Sequence, residues 1–423
     1  MWRLWLPGLK VKRFMVVVAI GFAAIGGAVA QWFLPHPMSL SILVTLLAGG
    51  LALAFLGAWG LTRTMTELLG SDKWAGVIYS RRQLARGPKV VALGGGTGLP
   101  VVLRGLKQFS SNLTAVVTVA DDGGSSGRLR GDLGILPPGD IRNCLVALAD
   151  TEPLMEELFQ HRFETGELKG HSFGNIFLAA MERTAGDFVT ALRESSRVLA
   201  VRGTVLPATL DPVTLWAELV TGEHIDGESN IGKSPAKIAK IGLNPPDATP
   251  LAEAINAICE ADMVVLGPGS LYTSVIPNLL VKPIQEAVRS THAVRVYVAN
   301  VMTQPGETTH YSVDDHLQAI EQQVGKGLID VVLVNNQAIE HSALQKYLDE
   351  GAEPVLPKVG VRTWPEIVAE PLIAVDGVIR HDPDRLARAL LRILVRFRPR
   401  WAEGRVLDGF WLESRLRERR VKP

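Results

Sequence analysis

The stretch KVVALGGGTGLPVVLRGLK, residues 89 to 107, decides the fold class. Val90 to Leu93 is an apolar run of strand length, it breaks into Gly94, Gly95, Gly96, Thr97 and Gly98, and a helical pattern resumes after Pro100. Strand, tight turn and helix in that order open an α/β unit. A turn of this kind presents bare backbone N–H groups at the positive end of a helix, which suits a phosphate. The spelling matches neither common phosphate loop: no Lys-Ser/Thr pair follows, and Leu99 stands where GxGxxG has its third glycine. The ligand has to be argued from the rest of the chain.

Working outward, further strand-like runs lie at Thr114 to Ala120, Met263 to Leu266, Val294 to Ala299 and Val331 to Val334, with helical patterns between several of them. That alternation predicts an α/β fold with a largely parallel sheet and helices on both faces. Gly203 to Ser229 reads instead as short strands joined by turns, an antiparallel excursion. With 423 residues, 47% of them hydrophobic, the chain can bury at least one large core. A formal charge of +1 provides no global field for nucleic acid, so no nucleic-acid partner is expected. Cys144 and Cys259 lie far apart in no metal-ligand spacing, which fits a reducing compartment and two ordinary buried thiols. No GxSxG, HExxH or CxxC motif occurs, which leaves serine-hydrolase, zinc-protease and thioredoxin readings without support.

The first residues differ sharply from the rest. Phe14 to Leu34 and Leu40 to Thr62 are uncharged and each long enough, at about twenty residues, to cross a bilayer as a helix. The link Pro35 to Ser39 reads as a turn, so the pair forms a transmembrane hairpin. Lys10, Lys12 and Arg13 precede the first span, while Arg63, Arg81, Arg82, Arg86 and Lys89 follow the second. The positive-inside rule then places both termini and the main domain in the cytoplasm of a two-span cell-membrane protein. The expected organisation is a membrane anchor over 1–63, a juxtamembrane linker over 64–87, a main domain over 88–400 and a basic tail over 401–423 that either is solvated or touches anionic lipid.

Four more segments carry candidate chemistry. TVADDGGSSGRLRGDLGILPPGDIRNC, residues 118 to 144, begins where the second strand ends, the position at which open parallel sheets bind ligands. Asp121 and Asp122 supply hard oxygens of the kind a Mg²⁺ ion bridging phosphates needs, in a loop too long for a simple turn. Asp140 reads as the N-cap of a helix starting at Ile141, and Arg128, Arg130 and Arg142 are forked clamps for an anion or surface residues. GHSFGNIFLAAM, Gly170 to Met181, runs a polar loop into an apolar helix that Ser172 or Asn175 caps, with free N–H groups for an anion; His171 reads as a hydrogen-bonded structural histidine. ADMVVLGPGSLYTSVIPNLL, Ala261 to Leu280, repeats the opening grammar with Gly267, Gly269, Ser270, Thr273 and Ser274. Two such corners in one sheet are the parts of a nucleotide site across a crevice. In VYVANVMTQPGETTHYSVDDH, Val296 to His316, the amides of Asn300 and Gln304 can read a base or sugar edge, or Ser312 simply caps the next helix.

Taken together, ALGGGTGLPVVLRGLK, VTVADDGGSSGRLRGDLGILPPGDIRNCLVALA, HSFGNIFLAAM, LGPGSLYTSVIPNLLV and NVMTQPGET resemble the bacterial YvcK proteins, known as gluconeogenesis factors. These belong with the 2-phospho-L-lactate transferases of coenzyme F420 synthesis. The resemblance covers roughly residues 88 to 400 and leaves the hairpin outside it as an addition. It implies a Rossmann-like core with a nucleotide cleft. In the transferase branch an aspartate holds Mg²⁺ while a phospholactyl group passes from a nucleotide diphosphate carrier to a deazaflavin; by motif that residue is Asp122, the one candidate for a catalytic role. The loop GGSSGRLRGDLGILPPGD departs from the transferase pattern and matches the YvcK branch. That branch is associated with cell shape and envelope synthesis and with UDP-sugars such as UDP-N-acetylglucosamine. The resemblance thus implies a nucleotide-sugar binding regulator ahead of an enzyme, with Gly94 to Gly98, Asn175, Gly267, Gly269, Ser270, Thr273 and Asn300 at the nucleotide, Asp121 and Asp122 at a candidate Mg²⁺ ion, and a second copy of the chain as a further candidate partner.

Overall fold

The computed structural model describes residues 11–31, 39–69, 82–150, 153–233, 236–358, 364–376, 378–398 and 412. The link at Pro35 to Met38, read from sequence as a turn, together with Lys10, Arg81, linker residues 70–81 and, Leu412 apart, the basic tail, lies outside the described residues. The chain divides into two compact units, Met1–Arg82 and Gln83–Pro423.

The first unit holds two helices, Val11–Gln31 and Leu40–Leu69. Their apolar segments, Arg13–Gln31 and Leu40–Arg63, have mean hydropathies of 2.1 and 2.3 and are long enough to cross a membrane. Glycines let the two backbones meet: a Cβ on Gly21 would lie 2.6 Å from the amide nitrogen of Ala54, and one on Gly57 2.6 Å from Val18 Cγ2. Close approach through small residues is how helices associate in lipid. Phe22, Leu51, Phe55, Leu56 and Trp59 point outward and exposed, an apolar surface unsuited to water.

The second unit is built on a parallel sheet. Its strands are β1 (Val90–Gly94), β2 (Leu113–Val117), β3 (Thr204–Pro207), β4 (Thr214–Leu219), β5 (His224–Asp226), β6 (Ile238–Asn244), β7 (Met263–Leu266), β8 (Val294–Val298), β9 (Val331–Asn335), β10 (Glu366–Glu370), β11 (Ile373–Asp376) and β12 (Val378–His381). Seven of them run in the order β10-β9-β8-β7-β1-β2-β3, every neighbouring pair parallel. All residues of β1 and β7 are buried, as unbroken apolar runs between two helical layers must be. β4, β5 and β6 form a separate antiparallel sheet in the order β5-β4-β6.

The antiparallel excursion is therefore real but differently bounded. β3, assigned to it from sequence, is the edge strand of the main sheet, and β6 lies beyond Ser229. A strand this short carries no mark of its partner; the helix Phe188–Val198 before it sets the parallel crossover. The long loop expected after Asp122 is also largely helix, Gly124–Leu133, entered through Gly124 at φ +49°. Of the two thiols expected to be buried, Cys144 is, whereas Cys259 is exposed at the end of the helix Ala252–Cys259, off the face that buries Ala254 and Ile258.

The topology fixes the site. From β1 the chain moves to β2 and β3 on one side, and later to β7 and onward on the other. The order reverses between β1 and β7, so the crevice outside their carboxyl ends is where an open sheet binds a ligand.

Candidate functional site at the switch point

Two glycine corners meet in that crevice. The first leaves β1 at Gly94, turns at Gly96 with φ +62°, and enters the helix Leu99–Leu106, with Thr97 exposed at the tip. The second leaves β7 at Gly267 (φ +75°), passes Gly269 (φ +158°) and winds through a wide turn at Leu271–Val275 into the helix Ile276–Leu280. They touch backbone to backbone: a Cβ on Gly98 would lie 2.3 Å from the Pro268 carbonyl oxygen. Leu93 O accepts from Gly267 N–H at 2.9 Å, and Asn278 Nδ2 donates to Gly94 O at 3.2 Å. The two glycine corners thus meet in one crevice, the kind of backbone arrangement that suits a phosphate.

Asp140 is the residue that sequence reading misplaced. It does not cap the helix Gly139–Leu148, whose N-cap, Pro138, has no side-chain bond. Its carboxylate instead crosses to the first corner, where Gly96 N–H donates to Oδ2 at 2.7 Å. Gly95 is bare for the same reason, since a Cβ there would sit 2.5 Å from that oxygen and 2.8 Å from Thr118 Cγ2. Burial pushes the Asp140 carboxyl up to about 6, the Gly96 bond opposing and the Asp121 charge adding to the rise.

Asp121 and Asp122 stand half-buried at the mouth. Asp121 Oδ1 accepts from Gly123 N–H at 2.9 Å, and Asp122 Oδ1 accepts from Ser229 N–H at 2.9 Å, which ties the second sheet's Gly227–Ile231 segment to the cleft. Glu228, which no sequence signal marked, joins them; burial and then the charges of Asp121, Asp140, Asp122 and Glu307 push it up to about 7. These acids are crowded, and the Arg142 charge opposes the rise at Asp140 without cancelling it. Among the described residues no group of three His, Cys, Asp or Glu side chains is arranged to hold a metal ion. A Mg²⁺ ion at Asp121 and Asp122 would hence take its remaining oxygens from phosphate and water, the usual coordination of that ion.

The crowding has a measurable consequence. Asp140 and Glu228 both have folded-state values raised above the ordinary carboxylate range, so folding takes up protons. Their contribution is full below about pH 4 and lost as pH rises through about 6 and 7. Asp140 alone, raised by about two pH units, corresponds to about 3 kcal/mol. Melting curves between pH 5 and pH 8 should show the wild type losing stability across that window, and the Asp140→Asn variant losing less.

Below the mouth lies a buried polar layer. Ser172 caps the helix Phe173–Ala185 through Asn175 N–H, and the Asn175 side chain is engaged at both ends, its Oδ1 accepting from Arg142 at 3.0 Å and its Nδ2 donating to Ser125 at 3.1 Å. Arg142 also bonds Ser172 and Asn143. His171 Nδ1 pairs with Ser125 Oγ at 3.0 Å, and burial, then the Arg128 charge, lowers its value. Asn175 thus supports the cleft from behind.

The loop Asn300 to Glu307 clamps the second corner. Gly269 N–H donates to Asn300 Oδ1 at 3.2 Å, Ser270 Oγ to Gln304 Oε1 at 2.8 Å, and Thr273 Oγ1 to Glu307 Oε1 at 2.9 Å. The amides read from sequence as base contacts are turned onto the corner. Thr273 is buried against Glu307, so its hydroxyl belongs to the scaffold. Ser312 does cap the helix Val313–Val324, in a reciprocal box with Asp315.

Residues 90–367 match the family described as 2-phospho-L-lactate transferase CofD. A gluconeogenesis factor from Bacillus subtilis is 50% identical over 315 residues, covering 73% of this chain and 98% of that protein. A relative from Clostridium acetobutylicum is 45% identical over 441 residues, covering 98% of this chain and 96% of its own. The hairpin region is consequently shared with that relative, and is not an addition peculiar to this chain. A crystal structure of a UPF0052-family protein from Bacillus halodurans superposes with a TM-score of 0.69 at 49% identity, over 72% of this chain and 99% of that one. The paired corners, the switch point between β1 and β7 and these similarities agree: the chain belongs to the 2-phospho-L-lactate transferase CofD family, among the members named gluconeogenesis factor.

Proposed function

We propose that the protein is a membrane-tethered, cytoplasmic nucleotide-sugar binding regulator of cell shape, cell-wall precursor supply and gluconeogenic growth. The observation that carries the ligand class is the backbone contact between the two corners, Gly98 against Pro268, which brings both glycine turns to one crevice. A diphosphate suits that cradle, and a UDP-sugar such as UDP-N-acetylglucosamine is the ligand the gluconeogenesis-factor branch suggests. Isothermal titration of the full chain in detergent with UDP-N-acetylglucosamine should release or absorb heat with one ligand per chain. No heat and no thermal shift at millimolar ligand would overturn the reading.

The tether rests on the two apolar helices with their exposed outer faces. On fractionation the full chain should sediment with membranes and resist carbonate extraction, while a chain begun at Gln83 should stay in the supernatant. Membrane recovery of the shortened chain at full-length levels would remove the tether from the proposal.

A second reading, a Mg²⁺-dependent transferase using a nucleotide diphosphate donor, is favoured by the half-buried pair Asp121 and Asp122 beside the cradle. Asp122 then holds the ion and Asp121 stands beside it. Turnover of donor and deazaflavin acceptor that Asp122→Asn abolishes would support this reading; an unaltered donor would reject it.

A further inference from the structure

We propose that Asp140 is a charge gate on the glycine cradle: its carboxylate holds the Gly96 N–H that a phosphate needs, so a phosphate is admitted only as Asp140 becomes neutral. The inference rests on the reading of the two corners as a phosphate site. Three observations carry it. Asp140 Oδ2 accepts from Gly96 N–H at 2.7 Å, in the corner where an anion would be bound. Gly95 leaves room for that carboxylate and for nothing larger, as a Cβ there would stand 2.5 Å from it. Among the described residues no cation is paired with Asp140, because the one guanidinium nearby, Arg142, is directed to Ser172, Asn175 and Asn143.

Two anions cannot share one buried backbone donor without strong repulsion, since the low dielectric that strengthens a hydrogen bond strengthens that repulsion equally. The groups acting on Asp140 are Asp121 at the end of β2, Glu228 on the second sheet's segment, and Arg142 and Cys144 on its own helix. Most of that charge is negative, which favours a proton on Asp140. A proton from solvent on one carboxyl oxygen frees the Gly96 N–H for a phosphate oxygen and makes the carboxyl itself a donor to that phosphate; no other bond is made or broken. The buried carboxyl's rise to about 6 brings this step within reach of neutral pH.

The test is titration of the full-length protein in detergent micelles with inorganic pyrophosphate, in chelator, at pH 5.5 and pH 8. Wild type should bind at least about tenfold more weakly at pH 8 than at pH 5.5, as expected for a protonation-linked site. Asp140→Asn, which keeps the shape and an acceptor oxygen, should bind at pH 8 about as tightly as at pH 5.5, and its profile supplies the pyrophosphate ion's own titration as a correction. Asp140→Ser, smaller and also neutral, should behave like Asp140→Asn and guards against a folding defect in either. Glu228→Gln should keep a pH dependence but shift it to lower pH, because one of the negative charges that favour the proton on Asp140 is gone; loss of the pH dependence in this variant would assign the gate to Glu228 and overturn the proposal. The same pH dependence in wild type and both Asp140 variants, or weaker binding by both variants at pH 8, would overturn the gate while leaving the cradle standing. No binding by any of them at either pH would overturn the gate and the phosphate reading together.

Discussion

Gly98→Ala should abolish measurable nucleotide binding. The added Cβ would lie 2.3 Å from the Pro268 carbonyl oxygen and 2.7 Å from its carbon, and those are backbone atoms of the opposite corner. No side chain is available to swing away, so one corner has to retreat. The cradle depends on both corners facing the same point, and a shift of about 1 Å separates their donors by more than a hydrogen bond tolerates. The expected result is a rise of at least about 100-fold in Kd, equivalent to about 3 kcal/mol, with a comparable loss of stability. Gly94→Ala is the matched control. The atoms nearest its Cβ would be those of Leu99, at an ordinary contact distance of 3.6 Å, so binding by titration should change little. Equal effects of the two substitutions would show that contact between the corners is unimportant.

The second large effect is expected far from the cleft. Gly105→Ala would place a Cβ 2.0 Å from the Pro383 carbonyl oxygen and 2.9 Å from the Ala387 Cβ, where the helix Leu99–Leu106 crosses the helix Pro383–Phe397. That crossing seats the first corner's helix, with Leu103, Leu106, Leu386 and Leu390 all buried around it. Separating the helices opens a gap among those leucines while overpacking the contact itself. A loss of about 3 kcal/mol or more is expected, read as a melting temperature lowered by roughly 6 °C or more. Gly131→Ala, on the helix Gly124–Leu133 with nothing within 4 Å of its Cβ, should instead stabilise slightly, by about 0.5 to 1 kcal/mol. Calorimetric scans of the two variants should therefore move in opposite directions. A neutral Gly105→Ala would mean the two helices are not held where the structure places them.

Much of this architecture is legible in the chain. β1 and β7 announce themselves because a fully buried parallel strand must be apolar at every position, and glycine must follow where the backbone turns left-handed or another backbone comes close. The apolar helices of the first unit are equally plain, since length and absence of charge are properties of sequence alone. β3 was not legible, because four residues, Thr204 to Pro207, fit a parallel edge as well as an antiparallel hairpin.

The same division runs through the site. Local spelling determined the glycine turns, the aspartate pair and the cap at Ser312, because each is a relation between residues a few positions apart. Only the tertiary structure decided what those groups face. It brought Gly98 against Pro268, two positions far apart in the chain. It turned Asn300 and Gln304 onto the second corner, drew Glu228 in among the acids, and carried Asp140 from the start of a helix to the Gly96 N–H. Propensity and capping are set within a turn or two of chain, whereas the partner of a buried charge is set by which strands lie side by side. The order of the seven-stranded sheet makes that choice.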